Sequence, residues 1–87
     1  MNEAEFRAEL ESDGYTVNEV TWEAGLINDS HTHDFSAKLM CVAGSVQITT
    51  PKGEFSCTPG DRLKVSAGTV HREVVGPEGA RLVAGRK

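Results

Sequence analysis

Histidine occurs three times in this 87-residue chain, and two of the three form the run His31-Thr32-His33. Side chains on extended backbone alternate between faces, so an H-x-H pair on a strand projects two imidazoles to one side. His71, from a distant strand after a glycine-containing turn, could complete a facial set of three. Neutral imidazole suits Zn, Fe, Mn, Co, Ni and Cu, so a single divalent transition metal ion is the chemistry this set could support. Two exposed polar residues also satisfy an H-x-H pattern, so residue types alone leave both readings open.

Other polar residues are placed by the same parity. Glu73 shares the face of His71 if the strand is regular. There it could act as a fourth ligand, as an acceptor for an imidazole N–H, or as a general base and so a catalytic residue. A carboxylate at a domain rim, paired or in water, is the alternative. Asp29 and Asp34 flank the histidine pair and read as turn residues. Arg62, Lys64 and Arg72 fall on the phase opposite to Leu63, Val65 and His71, as a solvated face would. Trp22 reads as core or rim packing. Cys41 shares the phase of Ala37 and Leu39, which favours core packing over metal ligation. With no CxxC pair, Cys41 and Cys57 are expected to be reduced, buried and to act as small hydrophobes.

The elements that must carry these residues are mostly extended. One helix is expected over residues 3–13. Asn2 can cap it, with Glu5 closing a capping box, and Phe6 and Leu10 share one face. Gly14 suits the left-handed position after the helix, with Tyr15 folding back on Leu10. The helix should pack outside the domain or at its mouth. Beyond it, strands are expected at 15–22, 37–42, 45–49, 54–57, 62–65, 70–75 and 80–84. The separators expected between them are Ala43-Gly44, Pro51-Lys52-Gly53, Pro59-Gly60, Ala67-Gly68 and Gly76-Pro77-Glu78-Gly79. In 15–22, Tyr15 and Val17 are out of phase with Val20 and Trp22, which predicts a bulge. No room exists for crossover helices, so the strands should form an antiparallel sandwich or barrel.

Composition narrows the function classes. The chain is long enough for one domain with a thin core, organised as a helix over 1–14 and a β domain over 15–87. Open strand edges and limited burial predict a homodimer. The net charge of −4 is uneven: residues 1–23 sum to −6 and the remainder to +2. The basic residues are scattered without interleaved aromatics, which disfavours nucleic-acid binding. No apolar run is long enough to span a membrane, and the acidic start lacks the apolar segment of a secretory signal. A cytoplasmic location is therefore expected.

Two longer patterns frame the histidines. Gly25, His31, His33 and Gly44 fit G-x5-H-x-H-x3-E-x6-G, and Gly60, Gly68 and His71 fit G-x5-P-x-G-x2-H-x3-N. The chain thus resembles the cupins, small stand-alone bacterial members in particular. The glutamate position of the first pattern is Ala37, and the proline and asparagine positions of the second are Ser66 and Val75. The resemblance implies an all-β jelly-roll barrel with a metal (Fe, Mn, Ni, Zn or Co) inside, held by His31, His33 and His71. Without a glutamate at 37, the ion would keep its charge and favour a small anionic organic ligand. A dioxygenase is what known three-histidine cupins imply, and isomerase or lyase chemistry is equally compatible. A non-enzymatic small-molecule binding or sensor module is the alternative.

Overall fold

The computed structural model describes all residues from Met1 to Lys87. After helix α1 (Glu3–Ser12) come six strands: β1 (Thr16–Trp22), β2 (Ile27–His31), β3 (Ala37–Thr50), β4 (Gly53–Cys57), β5 (Arg62–Val65) and β6 (His71–Arg86). All pairings are antiparallel. Two long strands, β3 and β6, pair with each other along most of their length and bend together. Their first and second halves belong to opposite layers. In one layer β1 pairs with the end of β6, and β5 with the start of β3. In the other, β2 pairs with the start of β6, and β4 with the end of β3. The result is a two-layered jelly roll made from one folded sheet. Its edges are not joined by hydrogen bonds into a closed ring.

The strands expected at 37–42 and 45–49 are therefore one, as are those at 70–75 and 80–84. Ala43-Gly44 is not a turn but an irregularity in the ladder, where the register shifts between Cys41 and Ala43 and again between Gly44 and Val46. Gly44 has φ 71°, and a Cβ there would collide with the Gly79 carbonyl. The glycine marks a strand corner, where two backbones pass too closely for a side chain. Likewise 76–79 continues β6.

The interior between the layers holds Leu39, Cys41, Val46, Ile48, Cys57, Val75, Ala80 and Leu82. A second core lies outside the first layer, where Phe6 and Leu10 of α1 cover Met40 and Val83. Both helix residues are fully buried. This second core explains β1. Its ladder with β6 is continuous from Thr16 to Trp22, without the expected bulge. Val17 faces the helix and Val20 and Trp22 face the interior, so both phases are apolar.

The helix ends follow their local chemistry. The Asn2 side chain accepts from the Glu5 N–H at 2.8 Å, and Glu5 accepts from the Asn2 N–H at 3.0 Å. At the other end Tyr15 N–H donates to Leu10 O and Gly14 N–H to Glu11 O, the paired closure that a left-handed glycine permits. No helix is long and apolar enough to cross a membrane.

Candidate metal centre

His71 opens β6 and His31 closes β2, and the two are partners across that ladder. Strand β2, over Ile27–His31, was not among the expected strands. It has few apolar residues, and its pairing with β6 replaces hydrophobic alternation as the cause of its shape. His33 lies beyond the strand's end, so the H-x-H pair is only half on a strand. Asp29 sits within β2 rather than in a turn, with its side chain in solvent and 3.4 Å from Arg72 Nε.

The three rings nonetheless converge. One nitrogen from each of His31, His33 and His71 lies within 4.8 Å of the others. Ring centroids are 4.2 Å apart for His31 and His71, 4.8 Å for His31 and His33, and 5.1 Å for His33 and His71. Two nitrogens bound about 2.1 Å from one ion are roughly 3.0–3.4 Å apart, so small ring movements close the set around a cation.

The backbone fixes which nitrogen points inward. His31 Nδ1 lies 2.6 Å from Asp29 O, and His71 Nδ1 lies 2.9 Å from Thr69 O. A carbonyl only accepts, so each Nδ1 carries its proton and donates it, and a neutral ring then presents an unprotonated Nε2 to the cluster. Glu73 stands on that same side. Its Oε1 is 3.4 Å from His31 Nε2 and 4.0 Å from His71 Nε2. The carboxylate of Glu73 therefore does not serve the Nδ1–H groups, whose acceptors are main-chain carbonyls. Two acceptors facing each other at 3.4 Å repel unless a proton or a metal ion lies near both, and three imidazole nitrogens suit a divalent transition metal.

Burial tunes these groups. Glu73 is 6% exposed, and desolvation raises its carboxyl above the usual range. The facing His71 and His31 and a hydrogen bond from Asn28 oppose that rise. The His33 imidazole is held below its usual value by burial first, then by His31, His71 and Arg86, with Asp34 acting the other way.

Below the cluster lies a cavity of about 100 Å³ walled by Val20, Trp22, Phe35, Leu39, Ile48 and Leu82 among others, with His33, His71 and Glu73 at its polar end. Ala37 also lines it, where a larger residue would fill space. Trp22 thus packs on the core and faces the cavity. Cys41 and Cys57 are buried free thiols, and Cys41 Sγ lies 3.4 Å from Ala43 O. Neither cysteine lines the cavity.

Solved structures share this architecture. An RmlC-like cupin from Shewanella frigidimarina superposes with a TM-score of 0.73 at 21% identity, covering 83% of this chain and 64% of that one. A cupin superfamily protein from Desulfitobacterium hafniense gives 0.70 at 16% identity, covering 80% and 63%. This chain has the cupin fold. Among other cupin-like matches, a structure of DMSP lyases gives 0.77 at 16% identity, covering 84% of this chain and 38% of that one. The chain thus spans just under two thirds of the two cupins' length, and much less of the lyase's. No family model and no curated protein matches the sequence.

Two residues at the cupin cavity escaped the sequence reading as site residues, Phe35 and Arg86. Phe35 stacks on His33 with centroids 4.6 Å apart and planes 14° from parallel, and the Arg86 guanidinium lies 4.7 Å from the Phe35 centroid. The signal for Arg86 was parity: extending the strand expected at 80–84 by two residues places it on the face of Leu82 and Ala84.

Proposed function

We propose that this cupin-fold chain holds one divalent transition metal ion through Nε2 of His31, His33 and His71, and acts there on a small anionic organic molecule. The convergence of three imidazoles, two of them locked by Nδ1–H donation to main-chain carbonyls, carries this reading. A bound ion would polarise a carboxylate or carbonyl oxygen as a Lewis acid.

The chain's own residues supply the rest. Glu73 Oε1 lies 3.4 Å from His31 Nε2 and 4.0 Å from His71 Nε2, so it is within reach to take a proton from carbon next to a polarised group. The walls formed by Trp22, Phe35 and Leu82 exclude water from the substrate's apolar part. This is proton-transfer chemistry of the lyase or isomerase kind. The match to a DMSP lyase structure is in keeping with it.

The dioxygenase reading uses the same histidines and gives Glu73 no proton to move. The open space at Ala37, beside the cluster, is the observation that favours it, since substrate and O2 need adjacent positions. Turnover of small carboxylates by the Co(II)- and Fe(II)-loaded protein, under nitrogen and in air, decides between them. The proposal predicts turnover without O2, falling about 100-fold or more in Glu73→Gln with metal content held. Turnover confined to air makes the chain a dioxygenase. No turnover, with tight ligand retention by metal-free protein, makes it a binding module. Metal lost in Glu73→Gln makes Glu73 a fourth ligand.

A further inference from the structure

Of the five arginines, Arg7, Arg62, Arg72 and Arg81 each have a carboxylate within 4.0 Å, and Arg86 has none. Its cross-strand partners are Thr16 on β1 and Ala37 on β3, neither of them acidic. Arg86 is nevertheless well positioned. Lys87 N–H donates to Ser36 O at 2.9 Å and Ser36 N–H to Lys87 O at 3.0 Å, which pins the backbone just beyond it. Alternation places its side chain on the face of Leu82 and Ala84, and it is exposed at the rim of the cavity. Gly85 turns the other way, under Leu10 and Tyr15. The guanidinium then lies over Phe35, which stacks on His33. Arg86 borders both the inner apolar cavity and the wider bowl outside it, which His31, His33 and Glu73 also line.

We infer that Arg86 is the anion anchor of this site and sets its specificity for small carboxylates with a short apolar body. A guanidinium offers a planar fork of donors that matches a carboxylate, and its contact with the face of the Phe35 ring holds it in place without consuming its N–H groups. The bowl receives the charged head at Arg86, beside the histidines. The cavity of about 100 Å³ between Trp22, Phe35 and Leu82 receives a branched or unbranched chain of a few carbons. This inference names the ligand class of the proposed function and rests on that reading for the site, but the arginine's part in it can be tested with or without metal.

The probes are 3-methylbutanoate and its uncharged isostere 3-methylbutanamide, titrated calorimetrically into the Co(II)-loaded and metal-free protein. The parent is expected to prefer the carboxylate in both forms. In Arg86→Gln that preference should fall about 10- to 100-fold, as the loss of charge-assisted hydrogen bonds dictates, with Arg86→Lys recovering part of it. Affinity for the amide should change little, which separates anion recognition from damage to the fold. An unchanged carboxylate preference in Arg86→Gln overturns the inference, as does equal loss for both probes. Cobalt per chain, measured on the same samples, tests the histidine site separately. A parent that retains no cobalt refutes the metal reading, and the metal-free titrations still decide the role of Arg86.

Discussion

Glu73 sets its Oε1 3.4 Å from His31 Nε2, on the side of the ring that carries no proton when the imidazole is neutral. The carboxylate and the imidazole lone pair repel unless something positive lies near both. Metal should therefore stabilise the fold. A ligand that binds only the folded state at 100 times its dissociation constant adds about 2.7 kcal/mol. Zn(II) or Co(II) should raise the melting temperature of the metal-free parent by several degrees and leave that of His31→Ala nearly unmoved. Equal shifts in both proteins would place the ion elsewhere.

The helix is expected to be a structural cover whose docking depends on two residues. Phe6 and Leu10 are fully buried against Met40 and Val83. Leu10→Ala should cost about 2–5 kcal/mol, through lost burial and the cavity left behind. Asn2→Ala, which deletes the cap bond to Glu5 N–H, should cost only about 1 kcal/mol. Chemical denaturation of both variants checks the ranking, and equal costs would contradict it.

An ion-pair chain ties the helix to the sheet. Arg81 contacts Glu19 at 2.8 Å and Glu3 at 3.4 Å, and Arg7 contacts Glu19 at 3.1 Å and Glu3 at 3.1 Å. The Arg81 hydrogen bond, more than any other contact, holds the Glu19 carboxyl below its usual range. A lowered folded-state value means stability present above the unfolded carboxyl value and lost as pH falls through the folded one. Glu19→Gln should therefore melt below the parent at pH 7, with the gap closing at acid pH and in high salt. A gap that widens on acidification would refute this.

Cys41 and Cys57 should behave as core residues. Burial pushes both thiols above the usual value, which disfavours the reactive thiolate. A thiol-specific disulfide reagent should label neither in native protein and both in denaturant. Rapid native labelling of Cys41 would show an opening to the interior.

Much of this was legible in the sequence because local chemistry decided it. Asn2, Glu5 and Gly14 bound the helix by capping alone. The parity of Leu39 with Cys41, and of His71 with Glu73, placed the interior faces. What was missed depended on distant partners. Strand β2 exists because β6 pairs with it, and residues 27–31 show no alternation of their own. Gly44 and Gly76-Pro77 look like turns in sequence, yet they are corners of long strands whose continuation is set by the β3–β6 ladder. The apparent phase error in β1 came from a helix covering the outer face, which a two-faced reading of Val17 and Val20 could have found. At the site, the resemblance of two spaced patterns to the cupins picked out the three histidines whose rings converge, while Arg86 needed the strand to extend past residue 84.

The central claim is that three histidines make one metal site, and metal content tests it most directly. Elemental analysis of anaerobically purified protein should give close to one transition-metal ion per chain. His71→Ala should remove most of it, because the ring whose Nδ1–H is tied to Thr69 O contributes its Nε2 to the set. A His71→Ala protein that folds and retains the parent's metal content would contradict the account.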